Sequence, residues 1–284
     1  MPHYLVAQSE LPEQREARRQ RAGKSAGETY AATLRQMRPG TQVSLVSPAD
    51  EDAVMLSQSE LAAFDAVFLT GSPMHVYNQT PPVERQIAFM KAVFASGVPS
   101  FGSCAGLQVA VAAAGGRVRK MPGRMEAGVA RRISATEAGQ AHPMLKGRPP
   151  SWDAVAVHGD EVEELPPGAT LLASNGATRV QAAEIRYDRG VFWGVQYHPE
   201  LALEELAIAL RSQAADLVEA GLADDQNDVL SHADEIEALH RDPASRALRW
   251  QLGVDGEFAD QDRRRREITN FLESLSELRA GSGS

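Results

Sequence analysis

The stretch Val98-Pro99-Ser100-Phe101-Gly102-Ser103-Cys104-Ala105-Gly106-Leu107-Gln108 constrains this chain more than any other. A short apolar run gives way to a glycine-framed turn and then to small helix-forming residues, which predicts a strand that feeds straight into a helix. Glycines two before and two after Cys104 mark a turn too crowded for ordinary side chains. Other short, β-branched apolar runs, at 4–7, 43–46 and 66–69, also precede or follow longer amphipathic segments. That alternation argues for a doubly wound α/β fold, a mostly parallel sheet with helices on both faces.

Helices are expected at 82–96, where Val83, Ile87, Met90 and Phe94 recur at helical spacing, and at 105–114. After Gly116 the pattern shifts toward antiparallel or mixed pairing, with candidate strands at 128–134, 154–157, 170–173, 182–186 and 191–196. A helix over 201–220 would close a first domain, 1–220. A helical extension, 221–280, would follow, and 281–284 reads as a linker-like tail. In the extension Ile268, Phe271, Leu272, Leu275 and Leu278 fall on one stripe. It can pack back on the same chain or serve a second copy or a partner. Arg263 to Arg266 reads as a solvated helix face.

A formal net charge of -9 speaks against nucleic acid as a partner. With one cysteine there is no internal disulfide and no zinc site needing two cysteine ligands, so no metal or cofactor is expected, and a reducing cytoplasm fits. The N-terminal region turns charged at once, unlike a signal peptide, and no run is apolar enough for a membrane span. Two look-alikes are set aside: Gly23-Lys24-Ser25 lacks the glycine a phosphate-binding loop needs five residues earlier, where Arg18 stands, and Asn78-Gln79-Thr80 is a formal glycosylation sequon only.

Cys104 sits at the turn, near a helix N-terminus whose dipole favours thiolate, so it reads as a nucleophile rather than a small core residue. A nucleophile needs a proton acceptor, and the acceptor needs an orienting group. Val191-Phe192-Trp193-Gly194-Val195-Gln196-Tyr197-His198-Pro199-Glu200 is an apolar strand that ends in a histidine and a carboxylate two residues apart, on the same side of an extended segment. His142 and His158 compete for the role of base, but neither has both a buried strand before it and a carboxylate at this spacing.

With these stretches in view the chain resembles the class I (triad) glutamine amidotransferase family, most of all the amidotransferase domain of GMP synthases and its stand-alone relatives. The matching pieces are Leu69-Thr70-Gly71-Ser72-Pro73, Gly102 through Gln108, His158-Gly159-Asp160 followed by Leu165-Pro166, and Gly194 through Glu200, in family order. The resemblance implies cleavage of a γ-carboxamide through a γ-glutamyl thioester, with Cys104 attacking, His198 moving protons and Glu200 orienting His198. It implies an oxyanion hole from the backbone at Gly71, Ser72 and Ala105. Substrate contacts would come from Gln108, His158, Gly159 and Asp160. Ser103 and Ala105 are smaller than the family's usual residues, suggesting a roomier pocket over the sulfur; Ser72 replaces a frequent glycine, and Val157 stands where a polar group is common. The segment between Glu10 and Tyr30 is longer than the family leads one to expect.

No synthetase domain is visible. Three readings stay open: a hydrolase of γ-glutamyl amides that releases an amine, a glutaminase subunit that passes ammonia to a separate synthetase, and a non-catalytic regulator that kept the fold.

Overall fold

The computed structural model describes residues 1–123 and 125–281; of the linker-like tail, 282–284 lie outside the described residues. Eleven strands are formed: β1 (His3–Ala7), β2 (Gln42–Val46), β3 (Ala66–Leu69), β4 (Ser100–Ser103), β5 (Arg117–Lys120), β6 (Glu126–Ala135), β7 (Ser151–His158), β8 (Asp160–Glu164), β9 (Ala169–Ser174), β10 (Ala182–Tyr187) and β11 (Gly190–Val195). Nine of them make one sheet in the order β2-β1-β3-β4-β11-β10-β9-β6-β7, and β5 pairs with β8 apart from it. Neighbours from β2 to β11 run parallel; from β11 to β7 they run antiparallel.

Sequence composition explains the order. β3 and β11 are buried at every position, as befits central strands covered on both faces. One face carries the helix Pro81–Ser96, which starts on two prolines and stops at Gly97 with φ 74°, and the helix Ala105–Ala113. The other face carries the helix Ala26–Met37 and the C-terminal helix Arg266–Gly281. Beneath the latter, Phe271 is fully buried, its ring 5.5 Å from those of Phe68 and Phe101 and 5.7 Å from that of Trp193. The C-terminal stripe is therefore consumed by the chain's own sheet. A third core, over the antiparallel end, joins the helices Leu203–Ser212 and Gln226–Arg241 to Val155 and Phe258. The helix expected over 201–220 breaks at Gln213 into Leu203–Ser212 and Ala214–Glu219.

Of the arginine run, Arg263 is exposed as a solvated face requires, but the residues after it depart from that reading. The helix ends at Arg264 and a new one starts at Arg266, so adjacent side chains leave in different directions. Arg264 and Arg265 are buried. Arg264 donates to the carbonyls of Phe258 and Ala259 at 2.6 and 2.8 Å, and Arg265 to Gln36 Oε1 at 2.8 Å. Close by, buried Arg148 donates from Nε and Nη2 to both oxygens of Glu267 at 2.7 and 2.8 Å and from Nη1 to Glu257 at 3.1 Å. Its guanidinium lies 5.4 Å from the centre of the Trp152 ring. These charges tie the C-terminal segment to the body of the protein.

Candidate active site

Strand register gathers the predicted residues at one edge of the sheet. β4 lies between β3 and β11, with Gly102 level with both Leu69 and Gly194, so the residues that follow each strand emerge side by side. They are Gly71, Cys104 and, beyond Gln196 and Tyr197, His198. The Cys104 amide donates to the Val195 carbonyl at 2.9 Å, and the His198 amide to the Val155 carbonyl at 2.8 Å, which fixes both backbones.

Cys104 itself carries the turn's strain, at φ 53° and ψ -113°. Its framing glycines serve close approach instead. A Cβ on Gly106 would meet the Leu69 carbonyl oxygen at 2.5 Å, and one on Gly102 would meet Gly106 and Phe192 at 3.0 Å. Ala105 opens the following helix.

The His198 ring is buried, with Nδ1 2.7 Å from Glu200 Oε1. Nδ1 is thus engaged, and the Cys104 sulfur adds to the ring's proton affinity alongside Glu200. Burial pulls the imidazole's pKa down, but the Glu200 charge and the Cys104 sulfur outweigh it and hold the ring's pKa up to about 10. A ring that holds its proton in this way can hand it to a departing group, as a general acid must.

These residues line one wall of a cleft of about 700 Å³. Gly71, Ser72, Gln108, His158, Gly159 and Asp160 line it too, so the structure brings every predicted site residue except Ala105 to one cleft wall. Gln108 Nε2 donates to the Asp160 carbonyl at 3.3 Å. His158 directs its ring inward, both nitrogens occupied, rather than toward the cleft. Ser103 and Ala105 are buried and are not among the residues lining the cleft. Val157 does line it. His142 lies elsewhere, bonded to Glu184 at 3.1 Å.

Sequence reasoning missed the far wall. The helix Pro12–Ala22, within the long segment after β1, contributes Glu13, Gln14, Ala17 and Arg18, and the helix Leu203–Ser212 faces it with Glu205, Ile208 and Ala209. It also missed His75, 2.7 Å from the Asp160 carboxylate. The unexpected length of 10–30 was the only signal for the first of these. Among the described residues no group of histidine, cysteine and carboxylate side chains is placed to hold a metal ion, and no helix is long and apolar enough to cross a membrane.

Residues 22–213 match the family described as glutamine amidotransferase class-I. A γ-glutamyl-L-1-hydroxyisopropylamide hydrolase of a Pseudomonas species is 36% identical over 259 residues, which cover 89% of this chain and 86% of that protein. One subunit of a glutamine-hydrolysing GMP synthase from Sulfolobus acidocaldarius is 34% identical over 152 residues, 54% of this chain and 76% of that one. In fold, a glutamine amidotransferase of Thermotoga maritima aligns with a TM-score of 0.66 at 14% identity, over 96% of this chain and 100% of that one. With a family match over about two thirds of its length and a relative aligned along most of both chains, this chain belongs to the glutamine amidotransferase class-I family.

Proposed function

We propose that this chain hydrolyses a γ-glutamyl amide through a γ-glutamyl thioester on Cys104 and releases an amine. The Cys104 sulfur, as thiolate, attacks the γ-carbonyl carbon. Backbone N–H groups at Gly71, Ser72 and Ala105 face the developing oxyanion, a contribution that costs about a hundred- to a thousand-fold in rate when one donor is lost. The tetrahedral intermediate collapses as His198 gives its proton to the departing nitrogen, which breaks the C–N bond. His198, now neutral, takes a proton from water; the resulting attack on the thioester frees glutamate and returns the thiolate. Glu200 keeps the ring in the tautomer and orientation that both transfers need.

The observation that carries this reading over ammonia delivery is the cleft. Its lining includes, besides Cys104 and His198, residues of the helices Pro12–Ala22 and Leu203–Ser212, and we read that added lining as room for a substituent on the amide nitrogen, which ammonia would not need. The hydrolase of the Pseudomonas species supports it too, because that likeness includes the extension beyond residue 220. Likeness to a GMP synthase subunit supports the second reading, a glutaminase that works with a separate synthetase, over a shorter stretch.

Steady-state assays of the lone chain separate the two. Cleavage of γ-glutamyl-1-hydroxyisopropylamide or a related γ-glutamyl amide with kcat/KM at least ten times that for glutamine is the expected result. Turnover of glutamine alone would refute the amine-releasing reading.

A further inference from the structure

Under the expected substrate pocket lies a buried polar ring that the chemistry above does not use. Glu126, at the start of β6, stands directly across from His158 at the end of β7. Its carboxylate is buried and takes three donors: Asn175 Nδ2 at 2.6 Å on Oε1, then Gln181 Nε2 at 2.7 Å and His158 Nε2 at 3.0 Å on Oε2. His158 Nδ1 lies 3.0 Å from the Asp160 carbonyl oxygen. The His158 ring thus spans from the Glu126 carboxylate at Nε2 to the Asp160 carbonyl at Nδ1.

The same carbonyl takes Gln108 Nε2, which also donates to Gln196 Oε1 at 3.2 Å, and the Gln196 amide donates to the Gln181 carbonyl at 2.9 Å. The circuit therefore closes on itself. A buried carboxylate is costly unless it is fully hydrogen-bonded, and its expense here goes to holding one peptide group in the cleft wall. The Asp160 carboxylate is held from the other side by His75 and, at 3.3 Å, by the Tyr77 hydroxyl.

We propose that Glu126 is a positioning residue: acting through His158, it sets the Gly159–Asp160 backbone against which the amino-acid end of a γ-glutamyl substrate lies. This rests on the γ-glutamyl reading. It gives no part in bond breaking to Glu126.

The test compares two reagents for Cys104 in the full chain. A glutamine-like diazo-ketone must seat its amino-acid end before it reacts; iodoacetamide need only reach the sulfur. In E126Q, the diazo-ketone should label at least tenfold more slowly and the KM for a γ-glutamyl amide should rise at least tenfold, with kcat within threefold and iodoacetamide labelling within twofold of the parent. H158Q breaks the same line at Nδ1 and should likewise slow the diazo-ketone and raise KM at least tenfold, with iodoacetamide labelling within twofold, which keeps the test available if E126Q does not fold. Equal slowing of both reagents would mean general disorder of the site and overturn the proposal, as would an unchanged KM. If the parent protein reacts with iodoacetamide but not with the diazo-ketone, the γ-glutamyl reading itself fails.

Discussion

Substituting Gly71 by alanine tests the site at its tightest point. The added Cβ would lie 2.8 Å from His198 Cε1 and 3.6 Å from Cys104 Cβ. Gly71 has no left-handed φ, so space alone decides the outcome. Ordinary contact begins near 3.4 Å, so the ring must retreat by about 0.6 Å, yet Nδ1 is held 2.7 Å from Glu200 and the His198 backbone is tied to Val155. A displacement of about 1 Å at a reacting group can cost a hundredfold. The retreat here is somewhat smaller, so kcat/KM for a γ-glutamyl amide should fall about 10- to 100-fold, or roughly 1.4 to 2.7 kcal/mol of lost transition-state stabilisation. The control is Gly176→Ala, outside the cleft, where a new Cβ meets nothing within 4 Å. Steady-state kinetics of both variants, with thermal melting to show that each is folded, makes the comparison. G71A retaining more than half of the parent kcat/KM, or G176A losing as much as G71A, would contradict this account of the site.

Three further outcomes are expected. Because Cys104 holds φ 53° against its own Cβ, C104G should be inactive yet more stable than the equally inactive C104A by about 1 kcal/mol, read as the melting-temperature difference between them; C104A melting higher would show the turn to be unstrained. R148M should cost about 3 to 5 kcal/mol in urea unfolding, since it leaves Glu267 charged and buried, and R148M/E267Q should recover part of that; a single-variant loss under 1 kcal/mol would contradict the account of the C-terminal anchor. Burial raises the Glu184 carboxyl's pKa, but His142, Arg186 and Trp193 outweigh it and hold the value down to about 2. A depressed carboxylate stabilises the fold above its ordinary 4.5 and loses that contribution as pH falls through about 2, so unfolding free energy should drop over this window by an amount on the order of 2 kcal/mol that E184Q does not show.

What was legible in the sequence followed from how local each constraint is. Cys104 lies within one strand-to-helix junction, and His198 and Glu200 lie two residues apart on one extended segment, so spacing alone reports their relation. The central strands announce themselves for a similar reason: β3 and β11, buried on both faces, read as unbroken apolar runs. β5 and β8 had no such signal. Their residues are mostly charged, and they are held by ladders such as Arg119 to Glu161 at 2.9 Å, which a hydrophobic pattern cannot report. The arginine run deceived because a helix break, rather than helical period, decides where each guanidinium goes.

The substrate side of the site is less legible because it is assembled from afar. The Asp160 carbonyl depends on His158 nearby but also on Gln108, and through His158 on Glu126, Asn175 and Gln181. No spacing rule joins those positions; the pairings of β6 with β7 and β9, of β10 with β9 and β11, and of β4 with β11 bring them together. The helix Pro12–Ala22, which follows β1, reaches the same cleft, tied down by Arg15 on Asp50 at 2.6 Å and Arg19 on Glu28 at 2.9 Å. On the proposed function, bond-breaking chemistry would rest on two short segments, whereas selectivity would be spread over the several elements that line the cleft. A relative can therefore keep Cys104, His198 and Glu200 while altering the helix Pro12–Ala22 alone, and the expected consequence is a changed leaving amine with the thioester chemistry untouched.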